Sequence, residues 1–358
     1  MPTCFMQMAY LCAKLQSMHV LKHLAPVVLS VSVGWLPATA QKKIDRIAFG
    51  SCSHQDSAEQ LWPAVIAQKP DLFVWLGDNI YGDTHNMDTL RLKYQKQKQH
   101  PAYQALLRAM PVIGTWDDHD YGVNDGGRFY PKKEHSKELM LDFLDVPAQA
   151  AVRKRKGVYQ SHVFGEKGKQ VKIILLDTRT FRDTLLAGAG NNRYSPNPTG
   201  DVLGEEQWTW LEKEIKNSKA DVHIIGTSIQ FLAQEHGYEK WANFPAARQR
   251  MLQLLVDHQP KNLFFISGDR HIAEISKLAW PGLPYPLYDF TSSGLTHTWS
   301  GARDEPNALR VGQLIIQKNF GLIRINWEGN LPLLEFEVRG AEQLYQSIPV
   351  LLPRPTPE

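Results

Sequence analysis

The sequence predicts an α/β fold, with a mostly parallel or mixed central sheet flanked by helices. Two patterns predict it: short apolar strands alternate with helical segments through most of the chain, and a run of strands with little helix follows from Glu274 onward. A third observation concerns placement, because the residues with the most chemistry to offer stand directly after the apolar strands. In open α/β sheets that edge, beyond the carboxyl ends of the strands, is where ligands bind.

Taken in order, residues 44–50 alternate and then turn apolar, the mark of a strand buried on at least one face, and they end at Ser51-Cys52-Ser53. Residues 58–68 have a helical pattern, and 71–76 form a short apolar strand that ends at Gly77-Asp78. Residues 90–110 are helical with a break near Pro101, where the helix loses a donor. Strand 112–115 leads into an acidic cluster, and 133–144 reads as helix. Residues 158–164 and 170–176 make a hairpin ending at Asp177-Thr178-Arg179. A polar stretch rich in Gly, Asn and Pro spans 181–204, and a loop of that length in a compact domain points to a lid or a substrate contact. Helix 205–217, strand 222–226, helix 246–258 and the apolar strand 263–267 come next, the last ending at Gly268-Asp269-Arg270-His271. Strands 287–291, 321–326 and 333–338 close the fold.

The first carboxylate in the chain is Asp45. Before it, Lys22-His23, an apolar stretch over 24–36 and Ala38-Thr39-Ala40 read as a secretory leader over residues 1–40, too short and too abruptly ended to favour a membrane span. Residues 1–17 are an unusual extension of such a leader, and Met18 is the better start. The expected organisation is a leader (1–40), one large domain (41–345) and a C-terminal tail (346–358), with a periplasmic or secreted location and no stable membrane span after cleavage. Cys4 and Cys12 leave with the leader, so Cys52 has no internal disulfide partner and is either a buried small hydrophobe or a metal ligand. The formal charge of +3 gives no sign of a nucleic-acid surface, and oligomeric state is not legible.

Residues 117–125 carry four carboxylates, one imidazole and one carboxamide. Anions packed this closely at the end of a buried strand repel, and they raise their own pKa values unless a cation joins them. Three further strand ends add Ser51-Cys52, the segment from Gly77-Asp78 through Tyr81 to Asp83, and Asp269-Arg270-His271. A Gly-Asp pair turns sharply at the sheet edge, and its carboxylate can bridge two cations. Two metals can clamp phosphate oxygens and lower the pKa of a bound water. A thiolate and a phenolate suit a trivalent or redox-capable ion such as iron; oxygen-only neighbours such as Asp118 and Asn124 suit calcium or manganese.

Together these motifs resemble the alkaline phosphatase D (PhoD-like) branch of the calcineurin-like metallophosphoesterases, over roughly residues 44–340. They are Gly50-Ser51-Cys52, Gly77-Asp78-Asn79-Ile80-Tyr81, Trp116-Asp117-Asp118-His119-Asp120, Asp177-Thr178-Arg179 and Ser267-Gly268-Asp269-Arg270-His271. The resemblance implies a four-layer α-β-β-α sandwich that hydrolyses phosphate esters by in-line attack of a metal-bound hydroxide. It implies iron held by Cys52, Asp78, Tyr81 and His271, and calcium near Asp78, Asp118 and Asp269, with Asn124 a further candidate; manganese or zinc are possible substitutes. His119 takes the acid or phosphate-contact position. Arg179 has two readings, a contact to the phosphoryl group or a structural partner of an acid. The implied substrate is a small-molecule or lipid phosphate ester. A phosphodiesterase or phospholipase acting on diesters is the rival among enzymes, and a non-catalytic metal- or phosphate-binding protein on the same fold is the rival outside them. The pattern departs from relatives in two respects: no Arg-Arg pair precedes the apolar leader segment, and Thr227-Ser228-Ile229-Gln230 follow the strand after which the wider superfamily places a metal-binding His.

Overall fold

The structure, a computed structural model, describes residues 43–329 and 331–350; the expected leader and the end of the expected tail lie outside the described residues. In chain order the strands begin with β1 (Arg46–Gly50), β2 (Leu72–Leu76), β3 (Val112–Thr115), β4 (Gln160–Phe164) and β5 (Val171–Leu175). The short β6 (Leu186–Ala187) and β7 (Tyr194–Ser195), then β8 (Val222–Gly226) and β9 (Leu263–Ser267), follow. β10 (Ala273–Leu278), β11 (Leu287–Ser292), β12 (Arg310–Ile315), β13 (Phe320–Asn326), β14 (Leu333–Arg339) and β15 (Leu344–Val350) complete them. Among the described residues they form one sheet in the order β15-β14-β13-β1-β2-β3 and a second in the order β12-β10-β11-β9-β8-β5-β4. β1, β2 and β3 run parallel, as do β5, β8, β9 and β11, while the remaining neighbours in the two sheets are antiparallel.

The period-two pattern of the strands explains the layers. In β2, Leu72, Val74 and Leu76 face a core between the sheets, where they meet Val171, Ile173 and Leu175 of β5. The alternate residues Phe73 and Trp75 face outward and pack beneath helices α1 (Trp62–Ala67), α2 (Met87–Gln99) and α3 (Pro101–Ala109). On the far side Ile174 of β5, Ile225 of β8 and Phe265 of β9 pack under two later helices, Gly204–Lys216 and Pro245–His258. Both faces of both sheets are covered, which yields the expected four-layer α-β-β-α sandwich. No described helix is long and apolar enough to cross a membrane.

The break near Pro101 is where α2 gives way to α3, with the His100 side chain accepting from the Ala102 N–H at 3.3 Å. α1 begins at Trp62 rather than residue 58, because Pro63 belongs in a helix's first turn. The sequence reading missed α4 (Asp118–Tyr121), one turn inside the acidic cluster. It also missed β10, β12 and β15, whose mixed polar and apolar residues hide the alternation. β15 runs across the expected domain end at residue 345 and up to Val350. Pro349 within it is tolerated because the strand lies at the sheet edge. Within 181–204, β6 and β7 form a small hairpin fastened by Tyr194 N–H to Gly237 O at 3.2 Å.

One buried histidine couples this fold to pH. His223 on β8 is 2% exposed, with Nδ1 2.7 Å from the Lys261 carbonyl and Nε2 2.7 Å from the Ser218 hydroxyl. A neutral ring that donates from Nδ1 and accepts at Nε2 satisfies both. Burial pushes its pKa down to about 4. In the unfolded chain the ring takes a proton near its ordinary value of about 6.5, so folding stability is intact above that pH and falls as pH drops through the window toward 4. The His223→Gln variant is expected to lose about 2–3 kcal/mol less stability than the wild type between pH 7 and pH 4.5, as read by urea unfolding at both pH values.

Candidate metal centre

β1, β2, β3 and β9 deliver their carboxyl ends to one place. The turns after β1, β2 and β9 pass through the left-handed region: Cys52 at φ 61°, Asp78 at 50°, Asp269 at 68° and His271 at 54°. Such conformations are unfavourable for residues with a Cβ and cluster at functional sites. Surrounding hydrogen bonds hold them. The Ser53 N–H donates to Asp78 O at 2.9 Å, and the N–H groups of Asp117, Asp78 and Asn79 converge on the Asp120 carboxylate at 2.6, 3.3 and 3.2 Å. Asp120 thereby ties the turn after β2 to the turn after β3. Gly77, at φ 94°, permits that approach: a Cβ there would collide with the side chain and backbone nitrogen of Asp117.

Three groups of side chains each bring their ligand atoms within 4.8 Å of one another: Cys52, Asp78 and His271; Asp78, Asp118 and His119; and Asp78, Asp117, Asp118 and Asp269. Asp78 belongs to all three. Cys52 Sγ lies 3.4 Å from Asp78 Oδ2, and the Tyr81 hydroxyl is 2.8 Å from His271 Nε2. Burial pushes the carboxyls of Asp78 and Asp269 well above the usual carboxylate range, and neighbouring carboxylates, Asp118 foremost among them, push the same way. Burial, reinforced by Asp78, also raises the Cys52 thiol. His271 is pushed down to about 3 by burial and by His297, which keeps its ring neutral and able to ligate.

A buried carboxylate cluster with unused lone pairs fits cations. Asp78 Oδ1 and Asp117 Oδ2 are buried with no hydrogen-bond partner, which is costly unless a positive group meets them. The donors are also divided by chemistry, with thiol, phenol and imidazole on one side of Asp78 and mainly carboxylates, with the His119 imidazole beside them, on the other. That division matches two metals of different hardness.

His119 stands beside this cluster, its Nδ1 at 2.7 and 2.9 Å from the two oxygens of Asp83. Burial opposes its charge, but Asp78, Asp83 and Asp118 outweigh it and push the pKa up to about 11. Asp118 is held below its ordinary value although burial acts against it, because Arg179, His119 and the N–H groups of Asp125 and His119 favour its anion. A pocket of about 270 Å³ opens over the cluster, and Asp118, His119, Asn124, Asp269 and His271 reach it. Asn124 donates its amide to Asp125 at 2.6 Å.

Arg179 does not reach this pocket. Its guanidinium is fully buried, with Nε 2.5 Å from Asp117 Oδ1 and Nη1 2.6 Å from Glu239 Oε2. Its contacts are those of a structural partner, to Asp117 and Glu239. Arg182 joins the same network through Glu239 at 2.8 Å, and both arginines donate to Gly126 O, so they fasten the loop that carries Asn124 and Asp125. Sequence reasoning passed over Asp83, although it ends the Gly77–Asp83 motif, and Glu239, which no motif marks. It also passed over Arg193, which the 181–204 segment brings to the pocket and pairs with Asp125 at 2.7 Å.

A sequence profile of the PhoD-like phosphatase family matches residues 47–307. Alkaline phosphatase D of Bacillus subtilis (strain 168) is 25% identical over 271 residues, 64% of this chain and 46% of the relative, so the chain spans about half the length of that protein. A solved structure of PhoD superposes with a TM-score of 0.68 at 18% identity, covering 83% of this chain and 66% of that one. A dimetal phosphatase from Danio rerio superposes with a TM-score of 0.56 at 13% identity, over 87% of this chain and all of its own. At those identities the two structures speak to the fold. The profile match spans all four strand-end motifs and the carboxylate cluster they build, and on it the chain belongs to the PhoD-like phosphatase family.

Proposed function

We propose that this chain is an exported, metal-dependent phosphoesterase of the alkaline phosphatase type that hydrolyses phosphate esters. The observation that carries the reading is Asp78, shared by three ligand groups whose members Asp118, His119, Asp269 and His271 line an open pocket. Cys52, Asp78, Tyr81 and His271 would hold iron, and Asp78, Asp118 and Asp269, with Asn124 beside them, would hold calcium, with manganese or zinc as substitutes. Such ions supply a water-derived nucleophile at neutral pH and offset the charge of the phosphoryl oxygens.

The chain's own residues do the rest. Asp83 fixes the His119 ring through Nδ1, which leaves Nε2 as the nitrogen that hands a proton to the departing ester oxygen. That role fits a general acid whose orientation is set by a carboxylate. Asp120 locks the backbone of Asp78 and Asp117, and Arg179 neutralises Asp117 behind the pocket. The pocket of about 270 Å³ supports a monoester as substrate, since a dianion needs a small site with concentrated positive charge. The secretory leader read in residues 1–40 supports a periplasmic or secreted location.

The direct test is turnover. Metal-replete protein is expected to hydrolyse p-nitrophenyl phosphate faster than bis(p-nitrophenyl) phosphate, and the reverse order would favour a diester substrate. Asp78→Asn is expected to lower metal content by elemental analysis and turnover at least ~100-fold, as for loss of a bridging ligand and its stabilisation of charge. Full turnover in that variant would defeat the reading.

Arg179→Lys is expected to lower thermal stability by roughly 2–4 kcal/mol, because a buried fork spanning two carboxylates becomes a point charge. KM for the ester stays near the wild-type value if Arg179 acts only as a partner of Asp117 and Glu239. A raised KM with unchanged stability would return it to the phosphate.

A further inference from the structure

Resting on the phosphoesterase reading, we propose that Trp299, braced by Tyr238, forms a shelf that stacks a planar ring carried on the alcohol side of the substrate. The two side chains line the same pocket as Asp118, Asp269 and His271. Trp299 is 36% exposed, and it is the only tryptophan among the large hydrophobic side chains exposed in the described residues.

Its position is fixed from several sides. The backbone N–H of Trp299 donates to the carbonyl of His271 at 2.9 Å, so the main chain that carries the indole is tied to that of a candidate ligand. Gly301 leaves room for the ring: a Cβ there would stand 2.6 Å from the indole nitrogen. Tyr238 meets the indole edge-on, with centroids 5.2 Å apart and planes at 76°. The Arg270 guanidinium lies 4.6 Å from the Tyr238 ring centre and 5.9 Å from that of Trp299.

Arg270 explains why this wall reads as aromatic rather than anionic in preference. One of its terminal nitrogens spans both oxygens of Glu305 at 2.6 and 2.7 Å, so its charge is already matched and its plane serves the rings. Arg193 is likewise paired with Asp125. What the wall offers a ligand is an immobilised indole beside the place where the ester bond is broken. A preorganised aromatic surface of this kind binds planar groups by stacking, with little ordering left to do.

The test uses two substrates that share one ester linkage. Adenosine 5′-monophosphate and ribose 5-phosphate both carry phosphate on the same primary alcohol, and only the first carries a ring system to stack. With the metal-replete wild type, KM for adenosine 5′-monophosphate is expected to be about tenfold lower, as for stacking of a single base. Trp299→Ala should remove that difference without changing KM for ribose 5-phosphate, and Trp299→Phe should restore most of it. Equal KM values in the wild type, or the same loss on both substrates in Trp299→Ala, would overturn the shelf. So would n-octyl phosphate gaining as much from Trp299 as the nucleotide, since the wall would then be merely apolar. If the wild type turns over neither phosphate, the failure belongs to the phosphoesterase reading. Calorimetric binding of adenosine 5′-monophosphate to the wild type and to Trp299→Ala then decides the shelf alone: tenfold weaker binding to the variant supports it, and equal binding overturns it.

Discussion

Repulsion among buried carboxylates is the constraint around which the rest of this structure is arranged. Asp78, Asp117, Asp118 and Asp269 bring acceptor atoms within 4.8 Å of one another, the first three of them buried. A folded chain tolerates that only if positive groups offset it from within or from bound ions. The chain supplies part of the offset itself, through Arg179 against Asp117 and through the N–H groups that converge on Asp118 and Asp120. It leaves Asp78, the most shared member, with one oxygen unpartnered. Asp117 likewise keeps one oxygen without a partner, so the offset from within is incomplete at the centre of the cluster.

The sandwich serves this arrangement by bringing two parallel sets of strand ends face to face. Thr115 at the end of β3 donates to the carbonyl of Leu176 just past β5 at 2.7 Å, so the sheets are joined by a hydrogen bond immediately beneath the site. Cys52 Sγ approaches the Asp269 carbonyl at 3.7 Å across the same seam. The centre lies where the sheets meet, and small displacements of one sheet against the other would alter every ligand distance. The left-handed turns at Cys52, Asp78, Asp269 and His271 fix where each side chain leaves the backbone.

Much of this was legible in the sequence, and for identifiable reasons. Strands such as 72–76 and 263–267 are short, wholly apolar and ended by Gly or Ser, so periodicity found them and placed the acids at their tips. The motif residues Cys52, Asp78, Tyr81, Asp118, His119, Asp269 and His271 stand in these segments, and the structure brings them together. What stayed hidden is what long-range packing decides. Arg179 follows a strand at the site edge just as a substrate contact would, and only burial between Asp117 and Glu239 separates the two roles. Glu239 and Trp299 lie in irregular segments with no periodic pattern, so nothing local announces that they face the pocket. Asp83 was within a recognised motif, but its contact with His119 crosses 36 residues. β15 escaped because an edge strand needs only one buried face and admits proline.

The seam that joins Cys52 to Asp269 spans 217 residues of chain. It sets an order of events: no early fragment of the protein contains a complete set of donors, because those from β1 and β2 wait for those from β9. During synthesis the first half offers a thiol, carboxylates and the His119 imidazole without the donors that follow β9. Selection by geometry begins only when the second sheet has closed over the first. The donor set of the proposed centre is therefore complete only once the whole sandwich has assembled.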